Sequence, residues 1–223
     1  MDTRETYRMR FTESDKKKKE QMWKVLVRYY FQQFVKKDFV VLDLGAGYCE
    51  FINNIVCGKK YAVDVSPEVK NYADTGVEAL ISKSTEISII PDNSIDLVFC
   101  SNFFEHLPDR EIAFKTLQEV RRILKFKGLI IVISPNITYV RWEFWNFFDH
   151  TFPFNHQGFC EALAASGFEI KKVVPRFLPY TTKSRLPQSS WFLRFYLRFP
   201  LCWRLFGKQM LIMAEKNEQK RPS

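Results

Sequence analysis

Between residues 39 and 134, short apolar runs alternate with amphipathic stretches. The runs at 39–44, 60–64, about 77–81, 95–100 and 128–134 predict strands. The stretches between them predict helices at about 48–56, about 67–74 and about 110–125. Strand–helix alternation of this kind predicts a parallel, doubly wound sheet. Upstream, Trp23, Leu26, Val27, Tyr30, Phe31 and Phe34 recur at three- and four-residue spacing. That is the apolar stripe of an amphipathic helix, which would cover a sheet edge or roof a site. Beyond Pro135 the pattern changes. Residues 137–153 are crowded with aromatics: Tyr139, Trp142, Phe144, Trp145, Phe147 and Phe148. A helix at 156–166 closed by Gly167, a strand at 168–174 and a final strand at 209–214 follow. Residues 175–208 separate the last two strands, and a connection that long is functional or carries its own structure.

The chemistry gathers at the ends of the first strands. Val40-Val41-Leu42 leads into Asp43-Leu44-Gly45-Ala46-Gly47-Tyr48-Cys49-Glu50, an apolar strand that ends in an acid and a glycine turn. Glycines there let the backbone turn sharply and approach a ligand closely. The second strand, Tyr61-Ala62-Val63, ends in Asp64, where an acid can accept hydrogen bonds from both hydroxyls of a ribose. A dinucleotide fingerprint needs a third Gly three residues after Gly47, and Glu50 stands there. Acids at Asp43 and Glu50 do nothing for a pyrophosphate. They suit a sulfonium cofactor with an α-ammonium group, which argues for S-adenosylmethionine (SAM) over NAD.

These residues resemble the class I SAM-dependent methyltransferases, of the methyltransferase type 11 kind. Asp96 to Leu107 is similar to their fourth strand and the loop after it, with Pro91-Asp92-Asn93-Ser94 as the turn before. Arg121 to Gly128 resembles the helix and glycine turn that lead into their fifth strand. Phe147-Phe148-Asp149-His150, His156 and Ala165-Ser166-Gly167-Phe168 resemble a subgroup found among bacterial polysaccharide-biosynthesis enzymes. The resemblance implies an α/β fold: a doubly wound, Rossmann-like, seven-stranded sheet, mostly parallel with an antiparallel last strand. It implies a methyltransferase domain at 38–216, preceded by the helical segment read at 1–37 and followed by a tail at 217–223 expected to be disordered. Within the domain lie an acceptor-side segment at 137–156 and an Arg/aromatic insert at 175–208.

Composition narrows the picture. The 223 residues suit one domain, and 46% hydrophobic residues suffice for its core. No run of eighteen apolar residues and no signal-like start is read, which points to the cytoplasm, with the inner face of the membrane as an option. Cys49, Cys57, Cys100, Cys160 and Cys202 have no metal-ligand spacing and read as reduced thiols. The net charge of +9 collects at Lys16 to Lys19, at Arg121 to Lys127 and after residue 175. The lysine run reads as a solvated helix start, and no basic-aromatic RNA motif accompanies it, so no nucleic-acid partner is expected. In the insert, aromatics interleave with arginines at 191–206, which suits either a substrate lid or contact with a membrane surface.

The expected cofactor set is Asp43, Gly45, Ala46, Gly47, Asp64, Val65, Ser84, Thr85, Ser101 and Asn102. Val65 would pack on the adenine. Many relatives place an Asp where Ser84 and Thr85 stand, so these hydroxyls or backbone groups would substitute. The product would be S-adenosylhomocysteine. The chain has three histidines, and all fall in loops expected to face the acceptor. A neutral imidazole is the natural base near neutral pH. Asp149 with His150 is the favoured pair, His106 is a second candidate, and His156 reads as a helix-start residue. Glu105-His106 resembles part of a Glu-x-x-Glu-His metal motif in ubiquinone-type methyltransferases. Asn102 replaces the first acid, so no metal is expected. The acceptor implied by the subgroup resemblance is a saccharide or lipid-linked saccharide, to be O-methylated. A non-catalytic SAM-binding module and another small hydroxylated acceptor are the alternatives, and the oligomeric state is left open.

Overall fold

The computed structural model describes residues 13–180 and 190–218. The outer parts of two expected segments (1–12 of the helical prelude, 219–223 of the tail) and 181–189 of the insert lie outside the described residues. Strands β1 (Val40–Leu44), β2 (Lys59–Asp64), β3 (Val77–Ile81), β4 (Ile95–Ser101), β5 (Leu124–Pro135), β6 (Phe168–Val174) and β7 (Gln209–Lys216) form one sheet. Its order is β3-β2-β1-β4-β5-β7-β6. The first five pair in parallel, and β7 runs antiparallel between β5 and β6. The expected α/β architecture is the observed one. The order reverses between β1 and β4, and it is there that ligands sit in such sheets.

Two-residue alternation divides the core. Leu97, Phe99, Ile131 and Ile133 face one apolar cluster, and Val98, Cys100, Ile130 and Val132 face the other. The N-terminal helix α1 (Glu13–Leu26) packs on the first face and continues through a π-helical stretch, Val27–Phe31, into a 3-10 turn, Gln32–Phe34. Trp23 meets Phe99 edge-on at 5.8 Å, and Phe51 stacks on Phe99 at 3.7 Å. Two short helices, α2 (Val69–Tyr72) and α4 (Ile137–Val140), and two longer ones, α3 (Arg110–Ile123) and α5 (His156–Ala165), complete the alternating part. Side chains of Asp109, Asn136 and Asn155 cap α3, α4 and α5, each accepting from a backbone amide in the first turn.

Two expectations need correction. Residues 48–56 form turns rather than a helix. Cys49 sits at φ +59°, outside the helical region, and the side chains of Asn53 and Asn54 donate to the Tyr72 and Glu50 carbonyls. Asparagine competes with helix formation in this way. The lysine run is also not solvated throughout: Lys19 forms an ion pair with Glu50 at 3.0 Å.

The long connection before β7 carries two helices, α6 (Ser190–Arg198) and α7 (Pro200–Phe206). Tyr196 Oη donates to Phe177 O at 2.6 Å, and Trp203 Nε1 donates to Tyr196 O at 2.8 Å. Trp203 also packs edge-on against Tyr30 at 5.7 Å. The insert therefore joins the same core as the N-terminal helix.

Candidate active site

Gly45 follows β1 at φ +71°, and its amide and that of Ala46 donate to Val63 O at the end of β2. A Cβ on Gly45 would lie 2.5 Å from Phe103 Cδ2. The position therefore requires glycine both for its backbone angle and for the ring beside it. Gly47, at φ +51°, donates its amide to Asp64 Oδ2 at 2.9 Å, and Ser66 N donates to Asp64 Oδ1 at 2.8 Å. Each carboxylate oxygen takes one amide, which fixes the plane of the group and leaves a lone pair on each oxygen for a diol.

One cavity of about 840 Å³ runs over this edge of the sheet. Every residue expected to hold cofactor lines it, from Asp43 to Asn102, and so do His106, Asp149 and His150. His156 does not; it opens α5 and bonds Asn136 Nδ2 through Nδ1 at 3.1 Å. Ser84 presents little hydroxyl to the cavity, because its Oγ is 2.8 Å from Thr116 Oγ1 of α3. Lys19, Met22 and Trp23 of α1 and Phe192, Leu193 and Tyr196 of α6 close the walls.

Three acids, Asp43, Glu50 and Asp64, line the glycine end, and Lys19 pairs with Glu50. Asp43 is 4% exposed and its carboxyl is held well above the usual range, first by burial and then by the nearby Glu50 and Asp64. A cationic ligand relieves that repulsion. Among the described residues three buried polar side-chain atoms lack a partner: Trp23 Nε1, Glu105 Oε1 and Gln209 Oε1. All three residues line this cavity. The Asp64 diol acceptor, the acidic end and the unpaired polar atoms fit a nucleoside carrying a sulfonium and an ammonium group.

At the other end the fold assembles groups distant in sequence. His106 Nδ1 lies 3.0 Å from Asp149 O and 3.4 Å from Asp149 Oδ2. His150 Nδ1 lies 3.3 Å from Tyr180 Oη, and the rings of Phe144 and Phe147 pack on His150 at 4.7 and 4.9 Å. The two imidazoles are 5.0 Å apart. One ligand atom from each of Glu105, His106 and His150 lies within 4.8 Å of the others. Glu105 is buried, accepts from Ser134 Oγ at 3.1 Å, and has its carboxyl pushed up by burial, an effect partly offset by His106. Sequence reasoning missed Tyr180, Gln209 and Ser134. Tyr180 lies near the start of the long insert and Gln209 just past its end, and no local motif marks any of the three.

Residues 42–132 match the family model described as "Methyltransferase domain". Over those residues the chain is similar to a methyltransferase domain. Its fold is the one that SAM-dependent methyltransferases adopt, and fold and domain match together imply SAM as the cofactor. A solved SAM-dependent methyltransferase from Archaeoglobus fulgidus aligns over 88% of this chain and 94% of its own, at 25% identity and a TM-score of 0.66. A structure of the complex between the Haloferax volcanii Trm112 methyltransferase activator and a methyltransferase aligns over 94% and 95%, at 18% identity and a TM-score of 0.68. Among curated proteins, an uncharacterised protein of Methanocaldococcus jannaschii is 35% identical over 45% of this chain. A "probable methyltransferase" of Aspergillus luteorubrus is 31% identical over 44%. These alignments span 43% and 40% of the two relatives' own lengths. Neither says anything about the acceptor.

Proposed function

We propose that the protein O-methylates a saccharide or a lipid-linked saccharide intermediate of polysaccharide biosynthesis, at the cytoplasmic face of a membrane. The observation that carries the reading is a single cavity with Asp64 at one end and the His106–Asp149 pair at the other. The cofactor supplies a methyl group activated on a sulfonium. Asp64 would hold the ribose hydroxyls. Asp43 and Glu50 would favour the cationic end. Asp149 holds the His106 ring through Nδ1, so that Nε2 can accept the proton of an acceptor hydroxyl. His150, set among Phe144, Phe147 and Tyr180, would bind the acceptor ring or share the proton. The aromatic walls suit a sugar face. In this reading residues 38–216 are the transferase unit, the described part of the segment 1–37 roofs it and 137–156 face the acceptor.

Calorimetric titration with S-adenosylhomocysteine, with NAD as control, tests the cofactor end. Turnover with nucleotide sugars and lipid-linked glycans tests the other. His106→Ala should lower kcat by about 10²–10⁴-fold while leaving S-adenosylhomocysteine affinity unchanged. A protein that binds this product tightly and methylates none of these acceptors is a non-catalytic SAM-binding module or serves another small hydroxylated acceptor.

A further inference from the structure

Helix α6 has two apolar faces, and one has no partner among the described residues. Tyr196 and Leu197 are buried, and Phe192, Leu193 and Tyr196 line the cavity. On the outer side Trp191, Phe195 and Phe199 follow one another at four-residue spacing. Their rings form a continuous row, with centroids 6.1 and 4.4 Å apart. They are 72%, 42% and 47% exposed. Helix α7 repeats the arrangement: Trp203 is buried, and Leu201, Leu205 and Phe206 face outward. Single exposed apolar side chains are ordinary, but a contiguous row of them on two successive helices marks a surface that something covers.

The charges around the row identify the covering phase. From Ile170 to Ala214 the sequence has nine Lys and Arg and no Asp or Glu. Arg194, Arg198 and Arg204 are exposed on the same two helices. Arg194 lies 4.4 Å from the ring of Tyr29, which is itself exposed, so the N-terminal segment meets the rim there. Outward aromatics within an arginine rim match the boundary between acyl chains and anionic headgroups. A second protein would need acids facing these arginines, and a second copy of this surface would set arginines against arginines. No helix of the described residues is long and apolar enough to cross a membrane, so these helices would lie on one.

We infer that the outer face of α6 and α7 is a docking surface for an anionic lipid bilayer. The helix that rests on the lipid is then also a wall of the cavity, so an acceptor carried in the membrane reaches the site without leaving it. Docking does not depend on the acceptor's identity, and its test does not use turnover.

The test is flotation with vesicles, using the whole chain. Vesicles of phosphatidylcholine with about one-third phosphatidylglycerol should carry the protein up the gradient, and pure phosphatidylcholine should not. Salt at about 0.5 M should weaken the binding. The double variant Phe195→Ser/Phe199→Ser should weaken it about tenfold or more. Arg198→Glu/Arg204→Glu should do the same, with S-adenosylhomocysteine affinity retained in both variants as proof of folding. Failure of the parent protein to float overturns the inference, as does flotation unchanged by either double variant. Sedimentation showing a dimer that the Phe195→Ser/Phe199→Ser change dissociates also overturns it, because the row would then be an interface between copies.

Discussion

Replacing Gly45 and Gly47 by alanine, one at a time, separates two reasons for a glycine turn. At Gly45 the backbone has φ +71° and an added Cβ falls 2.5 Å from Phe103 Cδ2. The left-handed angle costs an alanine about 1–2 kcal/mol. Moving the Phe103 ring, which packs edge-on against Phe104 at 5.3 Å, costs about 1–3 kcal/mol more. At Gly47 the angle is similar, φ +51°, but no atom lies within 4 Å of the added Cβ. Its stability cost is the backbone part alone, about 1–2 kcal/mol. For a chain of this length each kcal/mol moves Tm by about 2–4 °C. Gly45→Ala should therefore lower Tm by about 4–20 °C and Gly47→Ala by roughly 2–8 °C. Binding should rank the other way. Gly47 lines the cavity and the space around an added Cβ is open, so on the reading that the cofactor approaches this turn the methyl group would meet it. S-adenosylhomocysteine affinity should drop about tenfold or more for Gly47→Ala, beyond anything its small Tm change explains. Differential scanning fluorimetry and calorimetric titration on the two proteins suffice. Adding Phe103→Ala to Gly45→Ala should recover part of the lost stability. If Gly45→Ala proves no less stable than Gly47→Ala, the Phe103 contact is not what fixes that turn.

Asp64→Ala removes the acceptor of the Gly47 and Ser66 amides as well as the expected ribose acceptor, so it should weaken S-adenosylhomocysteine binding by about 10²-fold; titration giving near-native affinity would exclude Asp64 from the site. Burial raises the Glu105 carboxyl, so the folded protein keeps that proton to higher pH than the unfolded chain does. Its stability cost is absent below the ordinary glutamate value of about 4.3 and grows as pH rises toward the folded value. Glu105→Gln should then raise Tm more at pH 8 than at pH 5, with about 1.4 kcal/mol at stake for every tenfold difference in proton affinity between folded and unfolded chain. An equal change at both pH values would refute the assignment. Treatment with EDTA should leave turnover unchanged if Glu105, His106 and His150 act in proton transfer and binding; loss of activity restored by a divalent cation would make them ligands.

Legibility followed the range of the interactions. Strands such as β1 and β4 are visible because burial on both faces demands unbroken apolar runs. The glycine turn and Asp64 are visible because one local backbone geometry dictates their types and spacing. Residues 48–56 misread because apolar spacing suggests a helix, while Cys49 and the two asparagines decide the backbone. The His106–Asp149 approach brings together residues 43 apart in the chain, and Tyr180 meets His150 across 30. Tertiary packing alone sets such pairs, and pairing Asp149 with its neighbour His150 had no means to reveal the carboxylate beside His106.

The place of β7 in the sheet governs how the chain is made. It is the seventh strand to be synthesised and yet lies between β5 and β6, with Gln209 to Ala214 buried. Until residues 209–216 leave the ribosome, β5 presents a bare apolar edge and β6 has no strand to pair with. A nascent chain stalled before that point holds a five-stranded half-sheet open to strangers. The sheet is completed by inserting β7 between β5 and β6, so in the interval between making β6 and β7 the edges that β7 will join stand unpaired.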